Sequence, residues 1–276
     1  MTQLIAYMAN RRDRLGDVLR YETCTSQAVQ LHEPGSWGLG YYQNGEVLHR
    51  KQPLSSDKSV SWAEQTRDVI SDAVVACIED RPEGSFSADN VQPFRMRNWL
   101  FAYAGELPVF AHLQERALSD MDGMIRQSMS GNSVGECLFG MLLSRLHQSN
   151  QIDLPEISVE VVLSALASLT QWLEGQAREY QTAVGQYSLM LTNGHRSYLV
   201  QQGLPSFYRS EELEGHLRDE DKRSLPPSYL RYVIACTGMT TPLQTQENAQ
   251  HYSLIGDGHV LIVDRQLQTD VRSLVS

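Results

Sequence analysis

Three tight-turn signals, Asn44-Gly45, Asn193-Gly194 and Gly256-Asp257-Gly258, each lie between β-prone runs, and the two Asn-Gly turns suit hairpins, whose flanking strands run antiparallel. The first joins residues 37–42 to a return that begins at Val47 and Leu48. The second joins 187–191 to 197–200, and the third joins 251–255 to 259–263. Further strands are expected at 4–8, 73–78, 99–102 and 230–235. Helices are expected at 109–128, 135–147 and 159–180, the last carrying Val162, Leu163, Leu166, Leu169, Trp172 and Leu173 on one face. Strands, then helices, then strands is an α+β order with antiparallel sheets; a parallel sheet would need regular βαβ alternation. The Pro-containing segments 82–93 and 224–227 are expected to be ordered loops. With no repeat, low-complexity tract or linker in view, 1–276 is expected to form one domain.

Composition removes several function classes. A net charge of −10 with scattered Lys and Arg argues against a nucleic-acid-binding face, since phosphate neutralisation needs clustered cations. Arg11, Arg12 and Arg14 are the densest basic group, and no glycine-rich cradle follows them, so they are expected to solvate a loop or helix start. The apolar run at 3–8 is too short for a signal peptide or a membrane span, so a cytoplasmic location with no membrane partner is expected. Cys24, Cys77, Cys137 and Cys236 form no C-x-x-C pair and are expected to be reduced, mostly core, thiols. The eight histidines show no ligand spacing, so neither a metal nor a cofactor is expected.

Thr2 follows the initiator methionine, and an N-terminal Thr can use its own α-amine as general base. The plainer expectation is an ordinary strand-start residue, because a retained Met1 would leave Thr2 without a free α-amine. Four stretches, MTQLIAYMAN, GSWGLGYYQNGEVLHRKQP, GSFSADNVQPFRMRNWLFAYAGEL and GNSVGECLFGMLLSRLH, together resemble the class II glutamine amidotransferases, in the family's order and at similar distances. They cover most of the first half; the second half is similar only in its strand and turn pattern. The resemblance implies an N-terminal-nucleophile hydrolase fold, a four-layer αββα sandwich of two antiparallel sheets between helical layers. Its small single-domain branch, which includes the γ-glutamyl amidohydrolase of ergothioneine synthesis, is the most similar.

The resemblance also implies where the chemistry should sit, and those positions have changed. Thr2 takes the place of the nucleophilic Cys, and Glu79 that of the Arg that grips the glutamine α-carboxylate, where a carboxylate would repel it. Gln92 replaces a His before Pro93-Phe94. Ala104 replaces the oxyanion-hole Asn, a donor whose removal costs roughly 3 kcal/mol of transition-state stabilisation, while Gly105 keeps a backbone N–H. Val134 replaces the Asp that holds the substrate ammonium. Arg81 would share the face of Glu79 if the strand continued, and so partly replace the lost Arg.

The expected function is therefore a catalytically silent member of that family with a binding or regulatory role. Its protein partner is unidentified, and a homo-oligomer is compatible with the sequence. Two alternatives stand beside it: an N-terminal-threonine amidohydrolase of altered specificity, and an ordinary glutaminase. Glu79 is expected to find a cation or to titrate higher than usual. If the old pocket is open, its ligand should be neutral or cationic with an apolar part.

Overall fold

The computed structural model describes residues 2–26, 29–30, 35–53, 59–79, 87–131, 133–213, 230–237 and 252–274. The chain opens with β1 (Thr2–Ala9), α1 (Leu15–Tyr21), α2 (Thr23–Ser26), β2 (Val29–Gln30), β3 (Ser36–Gln43), β4 (Glu46–Gln52), β5 (Ser59–Val60), α3 (Trp62–Gln65) and β6 (Ala73–Glu79). A 3-10 turn at Ala88–Asn90 precedes β7 (Phe94–Met96) and β8 (Trp99–Glu106); a second, Pro108–His112, precedes α4 (Gln114–Ser119), α5 (Gly123–Gln127), α6 (Val134–Gln148) and α7 (Val159–Glu179). The remaining strands are β9 (Gln186–Thr192), β10 (Arg196–Gln202), β11 (Ser206–Leu213), β12 (Leu230–Thr237), β13 (Ser253–Leu254), β14 (His259–Asp264) and β15 (Thr269–Ser273).

Among the described residues these strands build two large antiparallel sheets, ordered β13-β11-β12-β1-β6-β3-β4 and β15-β14-β10-β9-β8-β7, and a small β2-β5 ribbon. Alternation along the strands gives both large sheets two apolar faces and so produces four layers. Leu4, Ala6, Met8, Leu100, Ala102 and Met190 fill the gap between the sheets. On the outer face of the first sheet, Ile5, Tyr7 and Ile78 pack under Leu15, Val18 and Trp62. On the outer face of the second, Phe101, Tyr103 and Leu189 meet Leu138 and Leu142 of α6 and Leu166 and Leu169 of α7. The expected four-layer αββα sandwich is the observed fold.

Two glycines set how closely the sheets approach. A Cβ on Gly38 would lie 1.9 Å from the Gln92 carbonyl oxygen, and one on Gly40 would lie 2.9 Å from Leu100 and Pro93. The W-G-L-G pattern of β3 is thus a contact surface as well as a strand.

The hairpins at Asn44-Gly45 and Asn193-Gly194 form as expected, with the first pairing Gln43 with Glu46. The strands flanking Gly256-Asp257-Gly258 do not pair: β13 joins β11 in the first sheet and β14 joins β10 and β15 in the second, so this turn carries the chain from one sheet to the other. The single helix expected at 109–128 is instead a 3-10 turn followed by α4 and α5. Asp122 causes the restart, because its carboxylate accepts from the backbone N–H of Met124 at 2.9 Å and of Ile125 at 3.3 Å and so caps a new helix. Sequence patterning also missed α1, β11 and β15. The expected segment 224–227 and residue His251 lie outside the described residues, as do 82–86 of the expected loop at 82–93. No helix among the described residues is long and apolar enough to cross a membrane, which says nothing of strands.

Candidate functional site

The site forms where β1 begins and β6 ends. Antiparallel register sets Thr2 of β1 opposite Glu79 of β6, and Ser36 of β3 opposite Glu79 on the other side, so a carboxylate stands in the middle of a three-strand row. Glu79 is only 8% exposed. Burial of that kind demands donors, and two are supplied by its neighbours: Gln92 Nε2 donates to Oε1 at 2.7 Å and Ser36 Oγ donates to Oε2 at 3.3 Å. Among the described residues, an amide and a hydroxyl bond it, and the Lys51 ammonium acts on it through space.

Gln92 is held at its other side by β8. Its Nε2 also donates to the Tyr103 carbonyl at 3.0 Å, and its Oε1 accepts from the Tyr103 N–H at 2.5 Å. Glu79 belongs to one sheet and Tyr103 to the other, so this amide is a polar bridge between the layers.

Ala104 and Gly105 follow Tyr103 on β8. Alternation turns the Ala104 methyl into the apolar cluster between the sheets, with Leu4, Ala6 and Cys77, where it is 1% exposed. Gly105 has φ of +112°, and a Cβ there would lie 2.1 Å from the Gln186 carbonyl oxygen, so only glycine fits. Val134 is the first residue of α6, which Ser133 caps by accepting from the Glu136 N–H at 3.2 Å. It lines an open groove of about 390 Å³ with Glu106, Leu107, Pro108, Phe110, Ala111 and Gln114. That groove is apolar along Leu107, Phe110 and Val134, with the exposed Glu106 carboxylate at its rim.

The fold thus brings Thr2, Glu79, Gln92, Ala104 and Gly105 to one end of the sandwich, with Val134 across a groove from Glu106. Arg81 lies outside the described residues. Sequence reasoning missed Ser36 and Lys51. The signal was present: Ser36 shares the alternating face of Gly38 and Gly40, and Lys51 pairs with Gly38. The Lys51 ammonium lies 5.5 Å from the Phe94 ring centre. Burial pulls its pKa down, and the carboxylates of Asp89, Glu136 and Glu79 push the other way.

The four cysteines are buried and form no disulfide. Burial pushes the Cys77 thiol well up, with Glu79 adding to the effect, and pushes Cys137 up to about 11, so neither is a poised thiolate nucleophile. Among the described residues no group of three His, Cys, Asp or Glu side chains is placed to hold a metal ion.

A family model for glutamine amidotransferases class-II matches residues 1–213. No curated protein matches the chain. Among solved structures, a glutamine aminotransferase class-II domain protein from Silicibacter pomeroyi is 15% identical, with a TM-score of 0.60 over 99% of this chain and 100% of its own. A predicted glutamine amidotransferase from Pseudomonas aeruginosa is 18% identical, with a TM-score of 0.54 over 97% and 94%. The glutamine phosphoribosylpyrophosphate amidotransferase from B. subtilis is 12% identical at a TM-score of 0.53; the likeness spans 99% of this chain and 49% of that enzyme. At these identities the structures share the fold.

Proposed function

Given that this chain belongs to the class II glutamine amidotransferases, we propose that it is a catalytically silent member of the family, keeping the fold for a binding or regulatory role with a protein partner in the cytoplasm. The observation that carries this reading is the bonding of Glu79. The position matched to the family's substrate-gripping Arg holds a carboxylate, and that carboxylate is turned inward to Gln92 and Ser36. A glutamine α-carboxylate brought to it would meet like charge. Ala104, at the oxyanion Asn position, offers a methyl group in an apolar cluster, and Val134, at the Asp position, adds apolar surface.

The test is to offer the purified chain glutamine and γ-glutamyl compounds and to follow ammonia and glutamate release. No turnover above buffer is expected, and turnover that depends on Thr2 would overturn the proposal. The rival with a specific observation behind it is an N-terminal-threonine amidohydrolase, because Gly105 keeps the positive-φ backbone of an oxyanion-donor position. Intact mass of protein from its native host separates the two, since a fully retained Met1 removes the α-amine that this mechanism needs.

A further inference from the structure

The strands β4 and β7 are edges of different sheets and lie on the same side of the sandwich, where Gly38 and Gly40 let β3 close on Pro93 and Leu100. His49 and Lys51 pair with Gly40 and Gly38, so both project from that inner face. On β7, Phe94 and Met96 are buried toward the helices, which turns the exposed Arg95 to the opposite side. Three basic side chains therefore face one crevice between two sheet edges. Lys51 is deepest, half-buried on the Phe94 ring, and His49 and Arg95 stand at the rim.

None of the three makes a hydrogen bond or ion pair with a described residue. Carboxylates are near Lys51, and each accepts from another group through at least one oxygen: Glu79 from Gln92 and Ser36, Glu136 Oε1 from the Ser130 N–H at 2.8 Å, and Asp89 from the Ser87 hydroxyl at 3.1 Å, while Glu136 Oε2 is buried without a hydrogen-bond partner among the described residues. Their field favours the charged ammonium against its burial. Its N–H donors have no hydrogen-bond acceptor among the described residues. The charge is thus partly compensated through space, but the half-buried N–H donors gain a charge-assisted hydrogen bond when an anion arrives.

We propose that this crevice binds the oxyanion group, carboxylate or phosphate, of a small molecule, with Lys51 as the principal donor and His49 and Arg95 closing over it. The proposal goes beyond the loss of glutaminase chemistry and does not depend on it. The convergence of the three side chains is consistent with the lowering of the His49 pKa, which comes first from burial and then from the Lys51 and Arg95 charges.

The test is calorimetric titration of the full chain, in a buffer free of oxyanions, with inorganic phosphate and separately with malonate. Saturable binding of at least one, at a millimolar constant or tighter, is expected. Lys51→Met should weaken it at least tenfold, Lys51→Arg should retain it, and Arg145→Gln, distant on α6, should leave it unchanged. Thermal melts establish that each variant is folded. As a readout on the unaltered protein, saturating anion should move the His49 ring titration to higher pH, against the neighbouring Lys51 and Arg95 and with Asp89, Glu136 and Glu79 unchanged. Absence of saturable binding for both anions, equal binding by Lys51→Met, equal loss in Arg145→Gln or an unmoved His49 titration would each overturn the proposal.

Discussion

Gln92 donates to Glu79 across 2.7 Å and grips both backbone groups of Tyr103, so one side-chain amide joins the end of β6 to the middle of β8. A buried amide that satisfies three groups at once is expensive to remove. Gln92→Leu keeps the volume roughly but strips Glu79 of a donor and leaves the Tyr103 N–H and C=O without this partner, at about 1–3 kcal/mol per unsatisfied group. The urea midpoint should fall by an amount equivalent to about 3 kcal/mol or more, and a change under about 1 kcal/mol would mean that water replaces the bridge.

Gly38→Ala probes the spacing of the two sheets. The new methyl would meet the Gln92 carbonyl oxygen, a backbone atom, at 1.9 Å, so the neighbour cannot rotate away. Destabilisation of about 3 kcal/mol or more is expected, read as insolubility or a sharply lowered melting temperature. A wild-type melt would show that the sheets are further apart than described.

On the outer face, Glu22 is fully buried and accepts from the hydroxyls of Tyr232 and Tyr252, with Arg209 3.5 Å away. Burial, followed by the Glu22 charge, pushes the Tyr232 hydroxyl far up, so it stays a donor at any ordinary pH. Tyr232→Phe removes that donor from a buried carboxylate and should cost about 2 kcal/mol in chemical denaturation. An unchanged midpoint would show that Tyr252 and Arg209 satisfy Glu22 alone.

His49 and His195 supply a pH dependence. Burial first, then neighbouring cations, lowers both pKa values: Lys51 and Arg95 act on His49, and Arg265 and Arg196 on His195, where Glu156 and Asp72 oppose them. A histidine that binds its proton less readily when folded destabilises the fold as the unfolded chain becomes protonated. Their contribution is therefore present above the ordinary histidine pKa and lost as pH falls through the lowered folded values. The His49→Gln, His195→Gln double variant should flatten the melting-temperature profile on the acid side of neutrality. A slope as steep as in the wild type would assign it to other groups.

Restoring two family residues should not restore the reaction. Thr2→Cys with Ala104→Asn supplies a thiol and an amide, but the amide enters an apolar cluster and Glu79 stays tied to Gln92 and Ser36. Ammonia release from glutamine is expected to remain at background. Measurable glutaminase activity in a folded double variant would show that Glu79 is no barrier to glutamine.

Local chemistry was enough to read the Asn44-Gly45 and Asn193-Gly194 hairpins, the strands around Tyr7 and Val75, and the apolar stripe of α7, because turn geometry and side-chain periodicity act over a few residues. The four ordered blocks carried the family and, with it, the layer order. Where a helix restarts was lost, because the Asp122 cap outweighed a continuous apolar pattern from Val109 onward. The order of substituted positions was legible, but not what Glu79 does. Its donors come from Gln92, 13 residues on, and from Ser36, 43 residues back. Likewise the crevice of His49, Lys51 and Arg95 exists only because Gly38 and Gly40 let one sheet close on the other. Periodicity tells which face a residue occupies; only packing of the second sheet decides what that face meets, since hydrogen-bond partners and charge fields depend on distances that no spacing along the chain contains.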